Sequence, residues 1–452
     1  MRTIPVAAAI LVAAAGAAAL LPRSKPRAAN PLPVILFTVD ALRADHLGFH
    51  GYARPTSPEL DALAGESFVF ENAITPRSKT TPAVASLMTG VLPHRHGVRS
   101  LYQPLEEGPA TLAEILSDSG YETAAFVSNF VLKRDFSRLD RGFDLYDDAL
   151  PTREPRRPIY ERVAADTAAA VRRWLEGPRG EPSFLWVHWM DPHGPYRPPV
   201  ERFEPAGGET IPREAIPDYQ YLGTENRAAY VAAYDSEIRC LDGEIGALLR
   251  DLRGRGLLDR SLFVFTADHG ESLGEHGEVF EHGKNAYEPC ARVPFFVRPP
   301  GGKPGGVRVR EPASLVDFVP TVLAAVGLPE RRLDGHALFD ASWNPLPTPP
   351  YRLHEKEDYL RAIRTADRKV VATVERGEIV TLERFDLRAD PGERKPVEPV
   401  DATWGPLESV LRRYVEESVD PFLNLADLVA RRRAALSSGA RDSLRALGYL
   451  GR

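Results

Sequence analysis

Six side chains in this sequence are of types that handle oxyanions and cations, and each sits where a chain changes direction. Asp40 follows the apolar run Pro33–Val39, and Asp268-His269 follows Ser261–Ala267. Two carboxylates and an imidazole offer hard oxygen and nitrogen ligands to one divalent cation, with positions left over for a reacting group. Thr80, in Lys79-Thr80-Thr81-Pro82-Ala83-Val84, reads as the cap of a helix with proline in its first turn. A helix amino end favours an anion, so an oxygen nucleophile or a phosphate would be stabilised there, and a cation beside it would ease loss of the hydroxyl proton. His193, in Asp191-Pro192-His193-Gly194-Pro195, and His282, in Glu281-His282-Gly283, lie in stiff or glycine-containing turns beside apolar runs. Either imidazole can bind a tetrahedral anion or protonate a leaving alkoxide. Taken alone, an Asp-His-Gly turn or a loop histidine is equally at home on a solvated surface; the case rests on their convergence.

The elements that must bring them together are legible as buried strands. Pro33–Val39, Phe184–Met190 and Ser261–Ala267 are short and apolar without alternation, as expected of strands covered on both faces, and each is followed or ended by an aspartate: Asp40, Asp191, Asp268. Helical patterns between them, around Ala229–Leu252 and Leu315–Val326, give the strand–helix alternation of an α/β fold with a mostly parallel sheet between helices. Ligands gather at the carboxyl ends of such strands, so the three acidic ends are expected to share one site. After Asp340 the prolines 345, 347, 349 and 350 break the pattern, and Lys369–Val374 and Glu378–Leu382 flank a glycine-containing turn, predicting a small antiparallel sheet. The expected division is 1–30 as export signal or anchor, 31–340 as catalytic domain, 341–400 as small antiparallel subdomain and 401–452 as helical tail.

A chain of 452 residues can bury a large core. Its net charge of −6, without a basic block, argues against nucleic acid as a ligand. Cys240 and Cys290 allow one disulfide at most and no thiolate metal cluster. Met1-Arg2-Thr3 precedes an uncharged run from Ile4 to Leu21, followed by Arg23, Lys25 and Arg27. This predicts export to the periplasm or cell envelope, with the run either cleaved or kept as a single membrane anchor, since a span takes roughly 20 apolar residues.

In order along the chain, Asp40–Gly48, Ser86–Gly90 with Pro93, His96 and Gly97, Asp191-Pro192-His193, Tyr234–Ile238 with Asp242, Asp268–Glu271, Tyr287-Glu288 with Arg292-Val293-Pro294, and Asp386-Leu387 with Asp390-Pro391 and Glu393 resemble the sulfatase family of the alkaline phosphatase superfamily. The resemblance runs from about Pro33 to Glu393. It implies the alkaline phosphatase-like fold, a metal site of Asp40, Asp268 and His269 with Thr80 as nucleophile and metal neighbour, and substrate contacts from His193 and His282. Four departures stand out. Sulfatases carry Cys or Ser at the Thr80 position, matured to formylglycine, which threonine cannot form. Val84 replaces an expected Arg, Ala41 replaces the second Asp of the opening pair, and Ser128-Asn129-Phe130 stands where many sulfatases place a sulfate-binding Lys and His. With threonine as nucleophile and imidazole among the ligands, the site resembles the phosphate-handling relatives and favours one zinc or manganese ion over calcium. The expectation is a hydrolase of phosphoric esters in preference to sulfuric ones, acting on a small-molecule or a lipid- or glycan-linked ester. The readings set against it are a sulfatase proper, an envelope phosphoalcohol transferase and a silent binding protein of the same fold. The oligomeric state is not legible.

Overall fold

The computed structural model describes residues 27–418, apart from positions 155, 158, 357 and 358. Residues 1–26 of the expected signal or anchor and residues 419–452 of the expected helical tail lie outside the described residues. Among the described residues, no helix is long and apolar enough to cross a membrane.

The strands of the main sheet are, in chain order, β1 Val34–Val39, β2 Phe68–Phe70, β3 Glu122–Val127, β4 Leu145–Asp147, β5 Ser183–Trp189, β6 Leu262–Ala267, β7 Phe295–Arg298 and β8 Val307–Val309. They lie in the order β8-β2-β7-β6-β1-β5-β3-β4. Only β7 runs against the rest; β4, β3, β5, β1 and β6 are mutually parallel, as are β2 and β8. Every residue of β1, β5 and β6 is buried, which explains the lack of alternation in their sequences. The core between them is aromatic: Phe37 meets Trp189 and Phe263 edge-on at centroid distances of 5.6 and 5.0 Å. Helices Ala164–Glu176 and Arg227–Gly254 pack against one another beside the sheet.

The predicted hairpin is present in a four-stranded antiparallel sheet, β9 Arg352–Lys356, β10 Leu360–Arg364, β11 Arg368–Glu375 and β12 Glu378–Asp386. Its two-residue turn, Arg376-Gly377, has positive φ at both positions (51° and 85°), the geometry that matches strand twist in a tight hairpin. Helix Gly405–Ser418 covers one face of this sheet, burying Leu411, Tyr414 and Val415 against Ile363, Val370 and Val374.

The small sheet is also bonded to the chain ahead of Thr80. Glu355 N donates to Pro76 O (2.9 Å), His354 Nδ1 donates to Thr75 O (2.8 Å), and Arg77 donates to Glu355 O (3.3 Å). These bonds fix the segment that leads into Thr80.

Candidate active site

Strand register decides which acids meet. Val39 of β1 pairs with Ala267 of β6, so the next residue on each strand, Asp40 and Asp268, emerges side by side. On the other flank Val39 pairs with Trp189, and the in-register neighbour of Asp40 is therefore Met190. Asp191 comes one residue too late. Its Oδ2 accepts from Ala164 N (2.9 Å) at the start of helix Ala164–Glu176, and burial together with Glu237 involves it in a separate acid pair. The expected sharing of three acidic strand ends is thus corrected to two.

Asp40, Asp268 and His269 place one ligand atom each within 4.8 Å of the others, and all three are buried. The hydrogen bonds around them leave those atoms open. Asp268 Oδ1 accepts from His269 N (2.7 Å) and Ala41 N (3.2 Å), while its Oδ2 has no partner. Asp40 Oδ2 accepts from Asn129 Nδ2 and has His188 Nε2 at 3.4 Å, while its Oδ1 has no partner. His269 Nδ1 donates to Gly270 O (2.8 Å), which turns Nε2 towards the carboxylates, 3.4 Å from Asp268 Oδ2 and 3.7 Å from Asp40 Oδ1. Two orphaned buried carboxylate oxygens and an imidazole Nε2 at one point fit a divalent cation.

The electrostatics agree. Burial works against ionisation of Asp40, yet His193, His188 and His269 together hold its carboxyl well below the usual range. Burial and then the Asp40 charge push Asp268 well above it. Side by side, the two carboxyls keep a proton that a divalent cation would replace.

Thr80 is the first residue of helix Thr80–Thr89, not its cap; that position falls to Lys79, whose side chain makes no capping bond. The Thr80 hydroxyl lies 3.3 Å from His269 Nε2, within hydrogen-bond distance. Thr80 is only 2% exposed. The expected pair of histidines is present too. The His282 ring lies 4.1 Å from that of His269 and 5.3 Å from that of His193, centroid to centroid. His193 Nδ1 donates to Gly194 O (2.8 Å) and His282 Nδ1 to Glu271 Oε1 (3.2 Å), leaving a lone pair on each Nε2. Burial pushes His193 down to about 4 and, with His269 beside it, His282 well below its usual range, so both rings are neutral. Burial pushes Glu271 up to about 7, against the pull of His193 and His269.

Two residues of this arrangement were not singled out from the sequence. His188 is paired with Thr38 in register and shares its sheet face, and hence that of Asp40. His188 Nε2 faces Asp40 Oδ2 at 3.4 Å, which calls for the N–H on that nitrogen, so Nδ1 takes the Thr38 hydroxyl proton (2.8 Å) while Thr38 Oγ1 accepts from Trp186 Nε1 (2.9 Å). A lone imidazole inside Phe184-Leu185-Trp186-Val187-His188-Trp189 was the available signal. Asn129 accepts from Val131 N through Oδ1 (2.9 Å), which turns its amide NH₂ towards Asp40.

The sulfatase family model matches residues 33–328. An arylsulfatase of Clostridium perfringens is 28% identical over 439 residues, covering 80% of this chain and 89% of its own length. Among solved structures, a 2-O GAG sulfatase superposes with a TM-score of 0.69 at 22% identity, covering 86% of this chain and 93% of that one. A phosphonate monoester hydrolase of Silicibacter pomeroyi superposes with a TM-score of 0.67 at 21% identity, covering 90% and 96%. These likenesses establish an alkaline phosphatase-like fold, and a match over well more than half of its length makes this chain a member of the sulfatase family of hydrolases.

Proposed function

We propose that the chain hydrolyses phosphoric or phosphonic monoesters or diesters with the Thr80 hydroxyl as direct nucleophile. The observation that carries this is the position of that hydroxyl: first residue of its helix, 3.3 Å from His269 Nε2 and beside the two orphaned carboxylate oxygens. Threonine cannot become formylglycine, so the oxygen it offers is an alkoxide, for which phosphorus is the suited centre. A divalent cation held by Asp40 Oδ1, Asp268 Oδ2 and His269 Nε2 would lower the cost of that alkoxide and offset charge on the transferring group.

The chain's own residues supply the rest. Thr80 Oγ1 attacks phosphorus and the bond to the leaving oxygen breaks; the Thr80 proton is lost to water, a loss that a cation beside it would ease, and the leaving oxygen takes one up from water. Water then opens the phosphothreonine, and Thr80 regains its hydroxyl. The Nε2 of His282, whose Nδ1–H is held by Glu271 Oε1 (3.2 Å) and whose ring lies 4.1 Å from that of His269, is the base at hand for that water. His193 and the amino end of helix Thr80–Thr89 bind the anionic oxygens of the ester.

The test compares wild type with Thr80→Ala, using aryl phosphate, aryl phosphonate and aryl sulfate side by side. The neighbouring Thr81→Ala, whose hydroxyl is fully buried, serves as control. We expect Thr80→Ala to lose at least a thousandfold in kcat on every ester and Thr81→Ala to keep activity within tenfold. Turnover retained by Thr80→Ala with cation bound removes the nucleophile. A second reading, hydrolysis of sulfuric esters by the same threonine, is favoured by the sulfatase names of the relatives; a clear preference for aryl sulfate would install it. We also place the reaction in the cell envelope, on the strength of the apolar segment before Pro22. A periplasm-active reporter fused after residue 30 should be exported, and cytoplasmic retention would refute that address.

A further inference from the structure

A cavity of about 970 Å³ opens between the Arg43–Gly51 segment and the end of the small sheet. None of Asp40, Thr80, His193, Asp268, His269 or His282 lines it. Its wall carries seven arginines and four acids, in a chain whose net charge is negative. We propose that this cavity is an anion-binding site, separate from the catalytic pocket, that takes an oxyanion group of the sulfate or phosphate class.

The argument sorts those arginines by what already neutralises them. Arg43 pairs with Asp45 (2.8 Å) and Glu275 (3.0 Å), and Arg227 with Glu275 (2.9 Å). Arg364 pairs with Glu288 (3.0 Å) and Arg310 with Asp367 (3.1 Å). The acids of the wall are thereby consumed, except Glu71. Arg308 and Arg394 are exposed and pair with no carboxylate among the described residues. Arg292 spends its Nε on the backbone oxygen of Glu71 (3.0 Å) and approaches only His50 Nδ1 with Nη2 (3.5 Å). Three guanidinium groups thus face one carboxylate.

His50 adds an independent observation. Its Nδ1 accepts from Arg292, so its proton is on Nε2, and that buried Nε2–H has no acceptor among the described residues. Burial, with Arg292 and Arg308 beside it, pushes His50 down to about 3, so the ring is a neutral donor. Burial likewise lowers Arg292, with Glu288 opposing and Arg364 adding to it. An oxyanion would satisfy the orphan donor, relieve Arg292 and take planar, bidentate bonds from Arg308 or Arg394. The volume far exceeds one such group, so the anion is either free or carried on a larger molecule whose remainder occupies the same space. The site does not depend on which ester the catalytic pocket opens.

The test uses the full chain and the double variant Arg308→Glu/Arg394→Glu, titrated calorimetrically at low salt with inorganic sulfate, inorganic phosphate and a heparin-derived hexasaccharide. Anion binding in the catalytic pocket is common to both proteins, so their difference reports the cavity. We expect at least tenfold weaker binding by the double variant, with kcat/KM on a small aryl ester within twofold of wild type. Loss for all three probes identifies a free-anion site; loss for the hexasaccharide alone identifies a group carried on a chain. Equal affinities of the two proteins for every probe would overturn the proposal. Should the double variant be less stable to urea, Arg394→Glu alone, outside any helix or strand, is read in its place, with at least threefold loss expected and wild-type affinity again refuting the site.

Discussion

Replacing Asn129 by serine isolates the support of a metal ligand from the ligand itself. In the protein, Asn129 Nδ2 and the His188 N–H both address Asp40 Oδ2, which leaves Oδ1 for the cation. Serine keeps the other duty of the position, since a short hydroxyl can accept from Val131 N as the Asn129 carbonyl does (2.9 Å), but it does not reach Asp40. The change therefore removes one hydrogen bond to a charged acceptor, about 1.5–3 kcal/mol. Loss of a group that orients a metal ligand costs about 10–100-fold in affinity, equivalent to about 1.4–2.7 kcal/mol. The two ranges coincide, and because His188 Nε2 still faces the same oxygen at 3.4 Å the expected loss is near their middle, about 30-fold. Metal-free wild type and Asn129→Ser are titrated with zinc and manganese against a chromogenic chelator, with urea unfolding as the control for the retained cap. His188→Asn and the double variant close the cycle. Two donors on one oxygen should couple by at least about 0.5 kcal/mol. Affinities within twofold of wild type for both ions, or strictly additive losses, would refute the claim that these donors set the orientation of Asp40.

Three further outcomes follow from particular contacts. Gly270→Ala would set a Cβ 2.0 Å from Pro289 O, so the turn that holds His269 Nδ1 must shift; we expect a stability loss of about 1–3 kcal/mol and a cation affinity reduced at least tenfold, by unfolding and titration. Tyr234 OH donates to Ala41 O (2.7 Å) and accepts from Arg43 N (2.9 Å), clamping Ala41 at φ 54°; Tyr234→Phe leaves both groups unpaired, and urea unfolding should show a loss of about 2–4 kcal/mol. Burial pushes His354 down to about 3 from 6.5, against the favourable bond to Thr75 O, so it is neutral in the folded protein while the unfolded chain takes up its proton below pH 6.5. Its contribution to stability is therefore intact above pH 6.5 and declines as pH falls towards 3, by about 2 kcal/mol at pH 5. His354→Asn should flatten the urea-derived stability profile by that amount between pH 8 and 5, and an unchanged slope would exclude His354 as its source.

What could be read from the sequence and what could not divides along sheet register. Asp40 and Asp268 were legible because a parallel sheet makes the residues just after its strands neighbours, and the apolar runs that announce those strands end on them. Asp191 carries the same signature but arrives one position beyond the register mate of Asp40, a difference that no count of apolar residues reveals because strand pairing is set by tertiary packing. His188 was hidden for the converse reason: it lies inside its strand, and only the pairing with Thr38 shows that its face is the metal face. Thr80 was found by the chemistry of helix starts and misplaced by one residue by the same rules, since a cap and a first helical residue differ only in backbone angles. The arginine-lined cavity had no sequence signal at all. Its cations come from segments spread between Arg43 and Arg394, each in ordinary charged surroundings, and they line one cavity only in the folded chain. Short-range pattern thus located the groups that the strand ends deliver, whereas the groups that orient them, and any site built across the two sheets, depend on register and docking that only the folded chain specifies.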